Sequence, residues 1–248
     1  MLIAERNGMM AGGAQNKSRF LVNGNRMVGD IFTLYMNNEL TGADIEDMDG
    51  VIQSTPAFAF SGMSLGNVKL PGLSSFGNYF AYNGGAFKSL TCSASAFNSV
   101  NGKVTTLITN ALSISSNAIN ESIRITNIEF VNAQSLGATV IYDNNYISTV
   151  AAPKAERLVH SSPSFRNLKK CTNITLGTLS QIISSQEFIN LGADLSADAS
   201  GYKSTIYVGN TVLHFMGLDG FPWSLPTDTL IVCSDGHIRY DGSSWVVA

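Results

Sequence analysis

Short apolar pairs recur at a nearly constant interval between residues 57 and 191. Val68-Lys69-Leu70 is followed 22 residues later by Leu90-Thr91-Cys92, and 22 residues after that by Leu112-Ser113-Ile114. Each triplet alternates apolar, outward and apolar positions, which is the period of a β-strand. One short strand in every period of about 20–29 residues is typical of a solenoid. The pattern predicts a mainly β solenoid, and an irregular β-rich domain with chance spacing is the alternative.

The two ends of the chain lack this period. Near the N-terminus, Asn23-Gly24 lies between two apolar pairs, which predicts a tight hairpin. Near the C-terminus we predict a strand at 205–208 and a hairpin of residues 230–232 and 237–240 around Asp235-Gly236. This β-hairpin cap is expected to cover the apolar end and unpaired strand edges of a solenoid. We therefore divide the chain into an N-terminal attachment and assembly segment (1–50), a repeat array (51–200) and a C-terminal β cap (201–248).

The repeat residues follow a further order. Val68-x-Leu70-Pro71 closes one predicted strand, Phe76-Gly77 and Ala86-Phe87 come next, and Leu90 and Cys92 form the following strand. This order resembles the BspA-like leucine-rich repeats, which read roughly I-G-x-x-A-F-x-x-C-x-x-L-x-x-I-x-L-P. Residues 164–191 repeat it, so the resemblance extends over residues 57–191. It implies a leucine-rich-repeat-like solenoid with a binding surface, as in the secreted adhesins of that family.

Composition and charge narrow the possible partners. Charged residues make up 13% of the chain, against about a quarter in most soluble domains, and Ser, Asn, Gly and Thr take their place. The net charge is −3 with no basic run, so we expect no nucleic-acid partner, because phosphate contacts need clustered Lys and Arg. No segment reaches the roughly 18 apolar residues of a membrane-spanning helix, so we expect no membrane insertion.

The beginning and end of the sequence favour a phage particle. The N-terminal residues lack a basic region followed by an apolar stretch, so no signal peptide is expected. A virion protein is made in the host cytosol and needs no leader, whereas a secreted adhesin does. The C-terminal sequence DTLIVCSDGHIRYDGSSWVVA also resembles the closing hairpins of phage fibre and tail proteins.

The cysteines and histidines do not form a chemical site in sequence. Cys92, Cys171 and Cys233 are odd in number and widely spaced, and no C-x-x-C is present, which argues against a disulfide framework or a zinc ribbon. We interpret Cys92 and Cys171 as buried small residues of the repeats. The histidines at positions 160, 214 and 237 have no neighbour at ligand spacing.

Two acidic segments superficially suggest a cation site. In residues 44–50 the calcium-loop register would place Ile45 and Pro56 at ligand positions, so we interpret this segment as a solvated turn. Asp143-Asn144-Asn145 is interpreted as a corner turn of the solenoid. Glu129 with Asp143 is a possible carboxylate pair for glycoside cleavage. We predict no catalytic residue, no metal and no cofactor.

Aromatic residues in predicted turns are the better candidates for function. Rings among Asn, Ser and Gly can stack on sugars or dock a partner. The alternative for each ring is a half-buried side chain that packs its turn. The candidate binding surface consists of Tyr79, Tyr82, Tyr142, Tyr146, Trp223 and Trp245, with Tyr202 as a further candidate.

Three functions follow from these observations. The first is a non-enzymatic phage virion protein, either a fibre, a decoration protein or a tail component. It would contact other virion proteins through residues 1–50, recognise a host surface glycan or protein, and form a homo-oligomer. The second is a bacterial cell-surface leucine-rich-repeat adhesin. The third is a glycan-active enzyme.

Overall fold

Short β-strands separated by tight turns make up nearly all of the regular structure. The structure is a computed structural model that describes residues 19–28, 40–119, 123–158, 162–182, 187–222 and 224–248. The elements within these ranges are β1 (Arg19–Val22), β2 (Asn25–Val28), β3 (Ile45–Asp47), β4 (Ser64–Lys69), β5 (Ala86–Cys92), β6 (Lys103–Thr109), β7 (Ser113–Ile114), β8 (Arg124–Phe130), β9 (Ser135–Leu136), β10 (Ile141–Tyr142), β11 (Thr149–Ala152), β12 (Arg157–Leu158), β13 (Phe165–Arg166), β14 (Asn173–Leu176), β15 (Gln181–Ile182), β16 (Ser204–Tyr207), α1 (Val212–Met216), β17 (Thr229–Val232), β18 (His237–Tyr240) and β19 (Trp245–Val247).

The strands stack into a solenoid of about eight turns, which confirms the prediction of a mainly β repeat solenoid. A 13-stranded sheet runs through the described chain in the order β19-β18-β17-β16-β14-β11-β8-β6-β5-β4-β3-β1-β2. Its strands from β3 to β17 are parallel, and the strands at either end are antiparallel. A second sheet contains β15, β12, β9 and β7, and a third contains β10 and β13. Each turn therefore contributes one strand to the large sheet.

The core is a set of apolar columns that run along the solenoid axis. Leu65 and Val68 of β4, with Leu70 directly after it, align with Phe87, Leu90 and Cys92 of β5, and all six side chains are buried. Burial of one such side chain stabilises the fold by about 1.5–3 kcal/mol, so the columns supply most of the driving force. One column is at most 1% exposed throughout and runs through Ile45, Val68, Leu90, Leu107, Ile128, Val150, Ile174, Ile206 and Ile231.

The predicted register is right for the first step and wrong for the second. Val68 pairs with Leu90 as predicted, but Leu90 pairs with Leu107, only 17 residues further on. Leu112 is 69% exposed, and Ser113–Ile114 belongs to the second sheet. The reason is that the connection between β5 and β6 is shorter than the connection between β4 and β5. The ring of Phe97 is buried within this shorter connection. Inward stacking sets the register of a strand, and the number of residues in the turn does not.

Both predicted end structures form. Asn23 and Gly24 have positive φ angles of 49° and 82° and connect β1 to β2 as a tight hairpin. At the other end, β17, β18 and β19 form an antiparallel meander that covers the last parallel strand. The sheet is continuous from β2 to β19, so it crosses the positions 50 and 200 at which the sequence was divided.

Candidate binding surface

Two stacked corner turns place aromatic rings on the outside of the solenoid. The backbone N–H groups of Phe58, Phe60 and Gly62 donate to carbonyls of the next turn, at Asn78, Phe80 and Tyr82, over 2.8–2.9 Å. Phe58 and Tyr79 both have a φ of 58°, in the left-handed region that side chains rarely adopt. Phe60 and Phe80 are fully buried, whereas the rings of Phe58 and Tyr79 remain exposed.

Phe58, Tyr79 and Tyr82 form the aromatic cluster. Phe58 and Tyr79 stack with ring centroids 5.2 Å apart and ring planes inclined by 17°. The ring of Tyr82 meets Phe58 at 6.2 Å and Tyr79 at 5.2 Å, at steep angles to both. Each of the three residues is 45–49% exposed, so the cluster is an apolar surface open to solvent. Stacked and edge-on rings stabilise one another, which holds the cluster in place without burying it.

The sequence identified two of these rings and missed Phe58. In Ala57-Phe58-Ala59-Phe60 both phenylalanines fit the buried aromatic step of the repeat, and only Phe60 takes that position. The signal available was the 21-residue separation of Phe58 and Tyr79, which places them on equivalent corners of successive turns. The positive φ that directs Phe58 outward leaves no mark in the sequence.

Tyr142 and Tyr146 lie elsewhere and contact arginines. The guanidinium of Arg124 lies 5.4 Å from the ring centroid of Tyr146, and that of Arg166 lies 5.2 Å from the ring centroid of Tyr142. Tyr146 is 45% exposed, whereas Tyr142 is partly buried. The structure therefore gives Tyr146 an accessible ring beside a positive charge and uses Tyr142 mainly to pack a corner.

Trp245 packs within the C-terminal meander. Its ring is 6.3 Å from Phe221 and 5.9 Å from Tyr240, and the residue is partly buried. Tyr202 is also partly buried. Trp223 lies outside the described residues. The described C-terminal aromatics thus hold the meander together rather than form an open cluster.

The acidic segment at 44–50 is built into the structure. Asp44 accepts hydrogen bonds from the backbone N–H and the side-chain amide of Asn67 at 2.6 and 3.1 Å. Asp49 pairs with Arg19 at 2.5 Å. Asp47 is only 1% exposed and accepts from the backbone N–H of Ile52, so the interpretation of a solvated turn is wrong for this residue.

The Asp143 segment turns the chain at a corner. Asp143, Asn167 and Asn190 all have positive φ angles of 52–58°. The side-chain amide of Asn167 donates to Asp143, and that of Asn190 donates to Asn167 at 2.7 Å, so the three side chains form a ladder. Glu129 lies on β8 of the large sheet, whereas Asp143 follows β10 of the third sheet. The two carboxylates of the possible glycosidase pair are thus on different sheets.

The cysteines lie in the core as predicted for Cys92 and Cys171. Both are fully buried, and burial raises the pKa of the Cys92 thiol to about 11 and that of the Cys171 thiol to about 12. Cys233 is also buried and free. A thiol with so high a pKa is protonated near neutral pH and is a poor nucleophile.

Glu187 is a buried carboxylate that the sequence did not single out. Its side chain is fully buried, and Oε2 accepts hydrogen bonds from the backbone N–H groups of Ser164 and Phe165 at the start of β13. Oε1 has no hydrogen-bond partner among the described residues. Burial raises the pKa of Glu187 to about 7, against the lowering effect of these hydrogen bonds.

A neutral polar column runs along the outer face of the large sheet. The side chains in this column are all Asn, Ser or Thr, and they hydrogen-bond along it, as Ser89 to Asn67 and Thr149 to Asn127 do at 2.8 Å. The column consists of Asn67, Ser89, Thr106, Asn127, Thr149, Asn173 and Thr205. It offers many hydrogen-bonding groups and no charge.

Within the described ranges, no helix has both the length and the apolar character required to cross a membrane. No protein-family model, curated protein or solved structure matches this chain.

Proposed function

We propose that this protein is a non-enzymatic structural and binding component of a phage virion that recognises a glycan on the host surface. The aromatic cluster of Phe58, Tyr79 and Tyr82 is the observation that carries the proposal. Aromatic faces held open to water are costly unless a partner covers them, and the C–H faces of sugars stack on such rings. Hydrogen bonds between the two turns hold the cluster in place, which reduces the ordering entropy lost on binding.

The rest of the surface supports contact with a polar, hydroxyl-rich ligand. The outer column of Asn, Ser and Thr can exchange hydrogen bonds with sugar hydroxyls along several turns. A stack of rigid turns also suits a protein that must display a surface away from its point of attachment.

The particle assignment draws on the C-terminal meander and on the N-terminal segment. The meander forms where the sequence resembles the closing hairpins of phage fibres. We place the attachment to other virion proteins, and the contacts of a homo-oligomer, in residues 1–50, where β2 forms one edge of the large sheet. The resemblance to BspA-like leucine-rich repeats stays a prediction, and it would suit the same display role.

The first experiment removes the aromatic cluster. The double variant Tyr79→Ala/Tyr82→Ala should bind a glycan panel or host cells about tenfold more weakly, because it loses two stacking rings. Its melting temperature should change little, since both residues are about half exposed. Binding is measured on arrays and by titration of the best glycan.

Tyr207→Ala is the matched control. Tyr207 is 41% exposed on the outward side of β16, at the other end of the repeats from the cluster. The Tyr207→Ala variant should bind glycans like the wild type.

Equal glycan binding by the cluster variant and the wild type would contradict the proposal. Cleavage of the bound glycan by the purified chain would favour the enzyme instead. Immunogold labelling of bacterial cells but not of purified particles would favour the adhesin.

A further inference from the structure

Three exposed cations lie together at the amino ends of neighbouring strands. Lys88 is on β5, Lys103 begins β6 and Arg124 begins β8, and all three are exposed on the outward face. They are 15 and 21 residues apart in sequence, so no basic run is visible there. We call Lys88, Lys103, Arg124 and the adjoining Tyr146 the basic block.

The strand register fixes the geometry of the basic block. Lys103 pairs with both Ala86 and Arg124, so Lys103 and Arg124 lie on adjacent strands about 4.8 Å apart. Lys88 lies two residues beyond Ala86 on the same face, roughly 7 Å along the strand. The guanidinium of Arg124 in turn lies over the ring of Tyr146. The block therefore presents three positive charges and one aromatic face within a few strand spacings.

None of these three cations forms an ion pair with another residue in the described part of the chain. Ion pairs there join Arg19 to Asp49, Lys69 to Glu46 and Lys203 to Asp228, and none involves the basic block. Thr105 and Thr126 supply uncharged hydroxyls on β6 and β8, each two residues beyond a cation of the block. A compact group of cations without an ion pair among the described residues, on a protein of net charge −3, is a local site for an anionic partner.

We propose that the basic block binds the carboxylate or other anionic groups of an acidic polysaccharide. This inference rests on the proposed function and names its ligand class. The turn that carries Tyr79 and Tyr82 ends at Gly85, which hydrogen-bonds back to Tyr82 and leads directly into β5. One glycan chain can thus contact the aromatic cluster and then the basic block. Three cations flanked by hydroxyls and a tyrosine suit a polymer of moderate charge density, whereas nucleic acid demands many more phosphate contacts.

The test compares two double variants that remove the same charge. Lys103→Ser/Arg124→Ser removes two of the three cations of the basic block. Lys154→Ser/Arg157→Ser removes two exposed cations elsewhere, after β11 and on β12 of the second sheet. The probes are alginate, with one carboxylate per sugar, and neutral dextran. Affinities are measured by titration between about 50 and 500 mM NaCl, over which charge interactions are progressively screened.

The wild type should bind alginate more tightly than dextran, and the difference should disappear at high salt. The block variant should bind alginate about tenfold more weakly at low salt, with a flatter salt dependence, while the control pair keeps wild-type binding.

Equal loss of alginate binding in both double variants would show that only net charge matters and would overturn the proposed site. Salt-independent binding of both polymers would overturn this inference but would still be consistent with glycan binding by the aromatic cluster. Dextran binding that is lost in Tyr79→Ala/Tyr82→Ala and kept in Lys103→Ser/Arg124→Ser would support the aromatic cluster independently of the basic block. Tighter binding of single-stranded DNA of equal charge than of alginate would also overturn the proposal.

Discussion

At the scale of single residues, Glu187 is a carboxylate that is buried in the core without a full set of hydrogen bonds. A carboxylate is buried stably only when its charge is paired or its hydrogen bonds are satisfied. Glu187 satisfies one oxygen with two backbone N–H groups and leaves the other without a partner among the described residues. The protonated form therefore suits the site better than the ionised form, and the pKa is raised accordingly.

We expect the stability of the protein to fall as pH rises through neutrality. The pKa of Glu187 is raised from 4.5 to about 7, so the folded state holds this proton more tightly than the unfolded chain. The contribution of this proton is fully present below about pH 4.5 and is lost as pH rises through about 7. Its size is up to about 3 kcal/mol. Glu187→Gln should flatten the dependence of the unfolding free energy on pH in this window.

Denaturant unfolding between about pH 4 and 8 measures this effect. Glu156→Gln is the control, because Glu156 is exposed and its replacement should leave the pH profile unchanged. A Glu187→Gln profile with the same slope as the wild type would show that another group is responsible.

At the scale of the strand, the inward columns decide the register. Leu107 stands in the column and is 1% exposed, whereas Leu112, which the 22-residue period predicts, is 69% exposed. The two leucines lie five residues apart and have similar apolar neighbours in sequence. Only the packing of the whole column distinguishes them.

Replacement of these leucines tests the observed register. Leu107→Ala should cost about 3 kcal/mol of unfolding free energy, because it removes buried methyl groups and leaves a cavity. Leu112→Ala should change stability by less than about 0.5 kcal/mol. Chemical denaturation of the two variants provides the measurement. The opposite ranking would restore the predicted 22-residue register.

The sequence predicted the strands better than the corners. Triplets such as Val68-x-Leu70 and the hairpin at Asn23-Gly24 carry local signals, and both formed as predicted. Corners depend on φ angles that common residues adopt only under constraint from the next turn, as Phe58 does. The candidate site shows the same difference. Tyr79 and Tyr82 could be predicted from the composition of their turn, whereas Phe58 and the basic block could be identified only from the strand register in the structure.

At the scale of the whole molecule, the ends of the sheet need protection. Parallel strands present unpaired N–H and C=O groups at each end of the stack, which favours pairing with other chains. The C-terminal meander covers β17, and Ile238 of β18 is fully buried against the array. Arg239 of β18 is exposed and places a charge beside the edge.

Removal of the meander should therefore cause self-association. A chain ending at residue 232 would leave β17 as a bare edge and is expected to form higher-order species at micromolar concentration, as measured by light scattering. A chain ending at residue 243 keeps β18 with its exposed Arg239 and should remain closer to the full chain. Identical light scattering by the full chain and the chain that ends at residue 232 would show that the meander has no protective role.

The unequal steps between aligned core residues have an evolutionary consequence. The inward column advances by 22 residues from Val68 to Leu90, by 17 to Leu107, and by 32 from Ile174 to Ile206, without a break in the sheet. Insertions and deletions at the corners are thus nearly neutral for the fold, while substitutions in the columns are not. A lineage of such chains can gain and lose corner residues freely, so its repeats would lose their common length long before they lost their common shape. Corners are then where new binding surfaces can arise at the least risk to folding, and in this chain the aromatic cluster lies at one of them.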